Sequence, residues 1–225
     1  MSHHHHHGDS CGHEHDHNDD SHVKADEGDQ DFLYTSIDRE RVITLNEAVS
    51  GSGVSILKTW SSRLDPTPAC VSDADDQLII HVPFTSTVKL TSLLLRPTGN
   101  TDETPTCIRL IKNHPVERVD FDDVSSLDSS AYTSTLDSIP TANDTKDVVT
   151  FPLKQVKWSN TDSITLFIEG SIGADVSAIQ FLGFKGKASG YSRAAPATIV
   201  YESAPQLKDH AKIPGTEANT HSFGQ

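Results

Sequence analysis

Histidine is concentrated at the start of the chain, where it could bind metal ions. Residues 1–22 hold nine of the thirteen histidines, interleaved with Asp, Glu and Gly, and one cysteine. Neutral imidazoles and a thiolate are ligands for Zn, Ni and Cu, and a low-complexity tract can supply them without a preformed cage. The candidate ligands are His3, His4, His5, His6, His7, Cys11, His13, His15, His17 and His22. Their spacing is too irregular for a structural zinc fold, so we expect adventitious Zn or Ni binding and no required cofactor.

Two interpretations of this leader stay open. It is either a solvated tract, in part an expression tag, or a segment with a biological role in metal binding. The Asp and Glu residues interleaved with histidine after His7 argue against a pure tag.

Two clusters of carboxylates could collect a calcium ion. They comprise Asp73, Asp75 and Asp76, and Asp120, Asp122 and Asp123. A calcium loop also needs a Gly at its turn and a bidentate Glu at a fixed offset, which the first cluster lacks. We therefore predict solvated or helix-capping carboxylates at both places.

The sequence contains no recognisable catalytic motif. Residues Gly170–Gly173 lack the G-x-S-x-G spacing of a nucleophile elbow, and there is no P-loop, dinucleotide fingerprint or H-E-x-x-H motif. A Cys/His pair would need Cys70 or Cys107 beside His81 or His114, which the sequence leaves open. We favour buried cysteines acting as small hydrophobic residues and histidines at the surface, and we predict that the domain is not an enzyme.

Two tryptophans could form a platform for a sugar. Loops at the end of a β-sandwich often bind ligands, and Trp60 and Trp158 are the candidate platform residues. Aromatic residues make up only 6% of the chain, and most of them are needed for a core. We therefore favour core roles, with Trp158 closing the core edge ahead of Ile164.

These groups must be positioned by β-strands, because apolar residues alternate with polar ones in short runs. In Leu78–Phe84 the even-numbered residues share one face, and His81 lies on the other. We predict that a turn at Pro83-Phe84 ends this strand and leads to a second one, Val88–Leu95. That second run is apolar on both faces, which is typical of a central strand.

Further strands are predicted at Cys107–Ile111, Val119–Phe121, Val148–Phe151, Ile164–Ile168 and Ile179–Phe184. Residues 122–147 are rich in Ser, Thr and Asp, which predicts a long surface loop. Short strands at this spacing, without an amphipathic helix between them, predict an all-β fold, an antiparallel two-sheet β-sandwich.

Composition excludes several classes of partner. The formal charge is −14, of which residues 1–31 account for −8, and no basic stripe could follow phosphates. We therefore expect no nucleic acid and no membrane partner. Three cysteines without a C-x-x-C pattern argue against a disulfide framework or a thioredoxin-type redox centre. No apolar segment reaches about eighteen residues, so we expect a soluble intracellular protein without a signal peptide.

The chain divides by composition into three parts. Residues 1–22 cannot bury enough apolar surface to offset their ordering entropy, which predicts a disordered leader. Residues 23–204 carry the predicted strands and form the sandwich domain. Residues 205–225 turn polar again and form a C-terminal tail.

The order of several motifs resembles the PITH family, the proteasome-interacting domain of thioredoxin-like proteins. The matching pieces are Leu45–Glu47, Trp60, Ser72–Lys89, Ile108–Asn113, Asp120–Asp123, Leu166–Ile168, Gly173–Asp175 and Gly183–Gly186. The resemblance implies a jelly-roll topology of the galactose-binding-like type. It also implies a non-catalytic module that docks on the 26S proteasome, in the cytoplasm and nucleus, as a monomer. Because the chain has no thioredoxin half, redox coupling is not implied.

The resemblance further implies a docking peptide in the tail. The residues concerned are Asp209, His210, Lys212, His221 and Phe223. A different class of function also stays open, a small-molecule or carbohydrate-binding β-sandwich. A concave site in which Trp or His meets convergent carboxylates would favour that alternative.

Overall fold

The described part of the chain is mainly β-structure. The structure, a computed structural model, describes residue 1 and residues 29–192. The strands are β1 Ile43–Leu45, β2 Cys70–Val71, β3 Leu78–Pro97, β4 Pro105–Lys112, β5 Ser134–Asp137, β6 Val149–Pro152, β7 Thr161–Ser171 and β8 Ala178–Ser192. The α-helices are α1 Ser52–Ser55 and α2 Phe121–Ser125, and 3-10 helices cover Tyr34–Ser36, Arg39–Arg41, Trp60–Ser62 and Val116–Arg118. No helix of this part of the chain is long and apolar enough to cross a membrane.

The long strand β3 belongs to both layers of the fold. Antiparallel pairing joins the strands in the order β2-β8-β3-β7-β4-β5, with β1 and β6 also paired to β3. The register of β3 shifts between Pro83 and Val88. Before the shift β3 pairs with β1 and β7, and after it mainly with β6 and β8. The predicted fold class, an antiparallel β-sandwich of jelly-roll type, is confirmed.

The main core lies between these layers. It contains the even-numbered residues predicted to point inward from the first half of β3, together with Ile164, Leu166 and Ile168 of β7. Phe84 meets Phe184 of β8 edge to face, with ring centroids 5.6 Å apart. Burial of each such side chain stabilises the fold by about 1.5–3 kcal/mol.

The predicted turn at Pro83-Phe84 is wrong, because β3 continues through these residues to Pro97. Pro83 lacks an N–H, but its carbonyl still accepts a hydrogen bond from Asp38 N at 2.9 Å. The register of β3 shifts directly after Pro83, and such an irregularity is where a sheet tolerates a residue that cannot donate a backbone hydrogen bond. The two predicted strands are therefore one strand.

Two further predictions are wrong in the region of a second apolar cluster, which lies outside the main core. Asp120 caps helix α2, since its Oδ1 accepts from Asp123 N at 2.7 Å, so the strand predicted at Val119–Phe121 is wrong. Residues 122–147 are not one long loop, because β5 pairs with β4. Tyr132 is buried as well, and its hydroxyl donates to Val124 O at 2.7 Å. This cluster covers Ile79 and Phe167, on the side of β3 and β7 away from the main core.

Glu47 fixes the start of the segment that carries Trp60. Its Oε1 accepts from Gly51 N at 2.6 Å and its Oε2 from Gly53 N at 2.8 Å. A Cβ on Gly53 would lie 2.0 Å from Thr44 Oγ1, so only glycine allows α1 to pack this closely against β1. The Leu45–Glu47 motif therefore has a structural role.

Candidate functional site

Two segments lie along β8 and bring aromatic side chains together. Leu33 N donates to Phe184 O at 2.9 Å, and Gly186 N donates to Asp31 O at 2.8 Å. From the other segment, Ile56 O accepts from Leu182 N at 3.0 Å. Backbone hydrogen bonds thus hold both segments on the same rigid strand.

The side chains of these segments line two adjacent cavities. The first has a volume of ≈ 490 Å³ and is lined by Asp29, Phe32, Tyr34, Thr35, Thr59, Trp60 and Ser61. The second, of ≈ 290 Å³, shares Tyr34 and Thr59 with the first and also contacts Arg39 and Lys58. We call these two cavities together the aromatic groove.

Phe32 is the centre of the aromatic cluster. Its ring stacks on buried Phe181 with centroids 6.2 Å apart and on Tyr34 at 6.4 Å. Trp60 meets the same ring edge to face at 5.9 Å. Each such pair contributes about 0.5–1.5 kcal/mol beyond its buried area. The half-buried Phe32, Tyr34 and Trp60 therefore present a rigid surface to the groove.

Cations lie over these rings. The Arg63 guanidinium is 4.3 Å from the centroid of Trp60, and Lys185 Nζ is 5.0 Å from the same centroid. The Arg39 guanidinium lies 5.3 Å from the centroid of Tyr34. Arg63 also forms an ion pair with Asp147 at 3.2 Å. The groove therefore combines aromatic faces with positive charge, although the chain as a whole is acidic.

Neutral oxygens hold two of the cations in place. Arg39 Nη1 donates to the Tyr34 hydroxyl at 3.0 Å and to the carbonyl of Leu57, and Nη2 donates to Val54 O at 3.3 Å. Lys58 Nζ donates to Asp65 O at 2.8 Å, which closes the loop that carries Trp60. Burial lowers the pKa of Lys58, and the carboxylate of Asp65 opposes this shift.

The histidines considered as partners for cysteine are buried, contrary to the predicted surface positions. His81 is 3% exposed, and its Nδ1 lies 2.8 Å from Thr165 Oγ1. His114 is 8% exposed, and its Nε2 donates to Arg118 O at 2.7 Å. Burial lowers the pKa of His81 to about 4, with a smaller contribution from His114. A buried imidazole with this pKa is neutral at physiological pH.

The two cysteines of the described chain are poor nucleophiles. Burial raises the pKa of the Cys70 thiol to about 11. Burial, together with the carboxylates of Glu169 and Asp137, raises the pKa of Cys107 to about 12. Since the thiolate is the reactive form, neither residue is activated for catalysis.

The carboxylate clusters hold the backbone in place. Asp75 Oδ1 accepts from Asn46 Nδ2 at 2.8 Å and from Gln77 N at 3.0 Å, and Asp76 Oδ2 accepts from Ser171 N at 2.9 Å. Helix capping, one of the two roles predicted for the second cluster, is confirmed for Asp120. Within residues 29–192 no group of three His, Cys, Asp or Glu side chains is arranged to hold a metal ion.

The two tryptophans have different roles. Trp158 is fully buried, as predicted, and its Nε1 donates to Ser134 Oγ at 2.9 Å. Trp60 belongs to the groove, so its predicted core role is wrong. The candidate metal ligands of the leader and the candidate docking residues of the tail lie outside the described residues.

Sequence reasoning missed Phe32, Tyr34, Arg39 and Lys185 as groove residues. Phe32 and Tyr34 carry no usable period-two signal, because the backbone leaves the extended conformation at Leu33 and a 3-10 helix begins at Tyr34. Lys185 carries no local signal, because it reaches Trp60 only through the packing of β8.

The family profile and the curated relatives that match this chain all name the same domain, the PITH domain. The sequence profile of the family described as PITH domain matches residues 23–205. The PITH domain-containing protein ZK353.9 of Caenorhabditis elegans is 34% identical, and the alignment covers 89% of this chain and 93% of that protein. The PITH domain-containing protein P35G2.02 of Schizosaccharomyces pombe is 33% identical over 83% of this chain and 86% of that protein. PITH domain-containing protein 1 of Homo sapiens is 30% identical over 79% and 80%.

Among solved structures the similarity is remote. CBM32-3 from a family 31 glycoside hydrolase of Clostridium perfringens aligns with 68% of this chain and 95% of that chain. The TM-score is 0.46 and the identity 13%, which is too low to support an inference about function.

Proposed function

Because the chain belongs to the PITH domain family, we propose that it is a non-catalytic protein-interaction module that associates with the 26S proteasome. The relatives compared above are named as domain-containing proteins, without an enzymatic name. Among the groups of the described chain whose pKa values are shifted, Cys70 and Cys107 are kept as thiols and His81 is made a weak base, which is consistent with a module that binds without catalysing a reaction.

The aromatic groove is the observation that carries this proposal. Trp, Tyr and Arg are the residues that most often dominate the binding energy of protein interfaces. Here Trp60, Tyr34 and Arg39 are half-buried, adjacent and fixed by contacts within the domain. Preorganised side chains lose little entropy on binding, so this surface suits a protein partner.

The remaining features of the proposal rest on the composition of the sequence and on its family resemblance. The protein acts in the cytoplasm and nucleus as a monomer, without nucleic acid, a membrane or a required cofactor. Any Zn or Ni on the leader is incidental. The polar tail adds a second contact with the proteasome through its histidines and Phe223.

A second candidate function is the binding of a small molecule or carbohydrate. Trp60 and Tyr34 line a concave cavity together with the hydroxyl groups of Thr35 and Thr59 and the carboxylate of Asp29. Aromatic rings beside convergent polar groups are the usual composition of a ligand pocket.

Binding of the full chain to purified 26S proteasome tests the proposal. We expect the unmodified chain to bind and Trp60→Ala to weaken binding by about thirtyfold, the effect of losing one interface hot spot. Lys154→Glu is the matched control, because Lys154 is exposed and lines a different cavity without an aromatic ring. Absence of binding by the unmodified chain would overturn the proposed function. Selective binding of a glycan by the unmodified chain, lost in Trp60→Ala, would establish the second candidate.

A further inference from the structure

We infer that the aromatic groove binds an extended acidic peptide segment of a protein partner. Peptide carboxylates pair with Lys185, Lys58 and Arg39, and an apolar peptide side chain contacts the rings of Phe32 and Tyr34. This inference rests on the proposed role as an interaction module and specifies the chemistry of its partner.

The charge around the groove is opposite to that of the chain. The sequence has 32 acidic and 18 basic residues, yet cations predominate here. Arg39, Lys58, Arg63 and Lys185 contact the groove or its rings, against Asp29 and Asp65 in the lining. Only Arg63 of these four cations forms an ion pair with a carboxylate of the described residues. A partner segment of negative charge is therefore attracted to this surface.

Arg39 is prepared to receive a carboxylate. Neutral oxygens occupy three of its five N–H donors, which fixes the guanidinium without neutralising its charge. The donors left over can pair with a carboxylate in the geometry that guanidinium groups favour. Little side-chain entropy is lost on binding, because the tether to Val54 and Leu57 already exists.

The placement of the cations favours a peptide over a sugar. Arg63 and Lys185 already lie over the ring of Trp60. A sugar that stacked on this ring would have to compete with these cations. A carboxylate can pair with Lys185 and leave the cation–π contact in place. Phe32 and Tyr34 then provide the apolar contact, since both line the larger cavity.

Fluorescein-labelled peptides test this inference on the full chain by fluorescence anisotropy. The acidic probe has the sequence EDLEDFDE, and the neutral probe QNLQNFNQ has the same shape without charge. We expect the acidic probe to bind at least about tenfold more tightly than the neutral one at low salt, and to weaken as ionic strength rises. Equal binding of the two probes, or no binding of the acidic probe, would overturn the inference.

Variants locate the binding site. Lys185→Glu should lower the affinity for the acidic probe by about tenfold, because a like charge then faces the peptide. Lys185→Met removes the charge but keeps an apolar stem. It should therefore lower the affinity for the acidic probe without altering thermal unfolding of the protein. The control Lys154→Glu changes the net charge of the protein equally and should leave affinity unchanged. Equal losses in Lys185→Glu and Lys154→Glu would overturn the assignment to the groove.

The result is separable from the proteasome test. Binding of the chain to purified proteasome without binding to the acidic probe would support the proposed function and overturn this inference. Binding to the acidic probe through Lys185 without binding to the proteasome would support the inferred chemistry of the groove and overturn the proposed partner. If an unlabelled glycan displaces the acidic probe from the protein, the groove is instead a carbohydrate-binding site.

Discussion

Gly183 of β8 lies directly beneath the ring of Phe32. A Cβ at position 183 would come within 2.8 Å of Phe32 Cε2 and 2.9 Å of Phe181 Cζ. Side chains do not approach so closely without displacement, so the absence of a side chain at Gly183 lets the aromatic cluster pack against β8.

Gly183→Ala should therefore destabilise the protein and move Phe32. We expect a loss of about 1–3 kcal/mol in the free energy of unfolding, measured in urea, from overpacking. Near-ultraviolet circular dichroism should change as well, because the rings shift. Gly99→Ala is the control, since a Cβ there would have no neighbour within 4 Å. Equal stability of the two variants would show that the ring cluster adapts freely.

Phe84→Ala tests the core. Phe84 is 1% exposed and contacts Phe184, and removing a buried phenyl group costs about 3–5 kcal/mol in the free energy of unfolding. Val156 is 91% exposed, so Val156→Ala should change stability by less than about 0.5 kcal/mol. A loss below about 1 kcal/mol in Phe84→Ala would contradict its place in the core.

The strands were predictable where alternation is local, and the errors have physical causes. Alternation in Leu78–Phe84 assigned the inward face correctly, because a strand has a period of two. The turn at Pro83 was wrong because a register shift allows proline within the strand. At Asp120 the strand prediction failed because one side-chain hydrogen bond starts a helix.

The aromatic groove was predictable only in part. Trp60 was recognisable as a conspicuous residue, but its environment depends on Lys185 and Phe32, more than a hundred residues apart in sequence. Periodicity reports which face a residue occupies and does not report which distant segment covers that face. The cationic character of the groove therefore required the structure.

Stability should fall in mild acid because of His81. Burial lowers its native pKa to about 4, whereas the unfolded chain keeps a value near 6.5. The unfolded state therefore binds a proton that the native state does not, and stability present above about pH 6.5 is lost progressively toward pH 4. Over this window the loss is on the order of 2–3 kcal/mol. Urea unfolding between pH 7 and pH 4.5 measures it.

A variant isolates this contribution. His81→Gln cannot titrate and should show a flatter dependence of unfolding free energy on pH in the same window, whatever its absolute stability. His114→Gln is the informative comparison, because His114 lowers the pKa of His81. It should retain most of the pH dependence. An unchanged slope in His81→Gln would assign the acid sensitivity to other groups.

Zinc binding should depend on the leader alone. Its candidate ligands are adjacent in sequence, and such a site needs no folded scaffold. Deletion of residues 2–22 should abolish zinc binding in isothermal titration calorimetry and leave the melting temperature of the metal-free protein unchanged. Stoichiometric zinc bound by the truncated chain would instead place the site in the domain or the tail, where His210 and His221 would become candidates.

The tail should contribute to proteasome binding through His221 and Phe223. A phenyl ring supplies contact area at a small entropic cost, and an imidazole can donate, accept or coordinate a metal ion on the partner. A double substitution, His221→Ala with Phe223→Ala, should weaken association with purified 26S proteasome and leave thermal unfolding unchanged. Asp209→Asn with Lys212→Gln tests the nearer part of the tail, which the family resemblance also implicates. If both double variants bind as tightly as the unmodified chain while Trp60→Ala does not, the interface is confined to the folded domain, because the tail then supplies neither area nor charge.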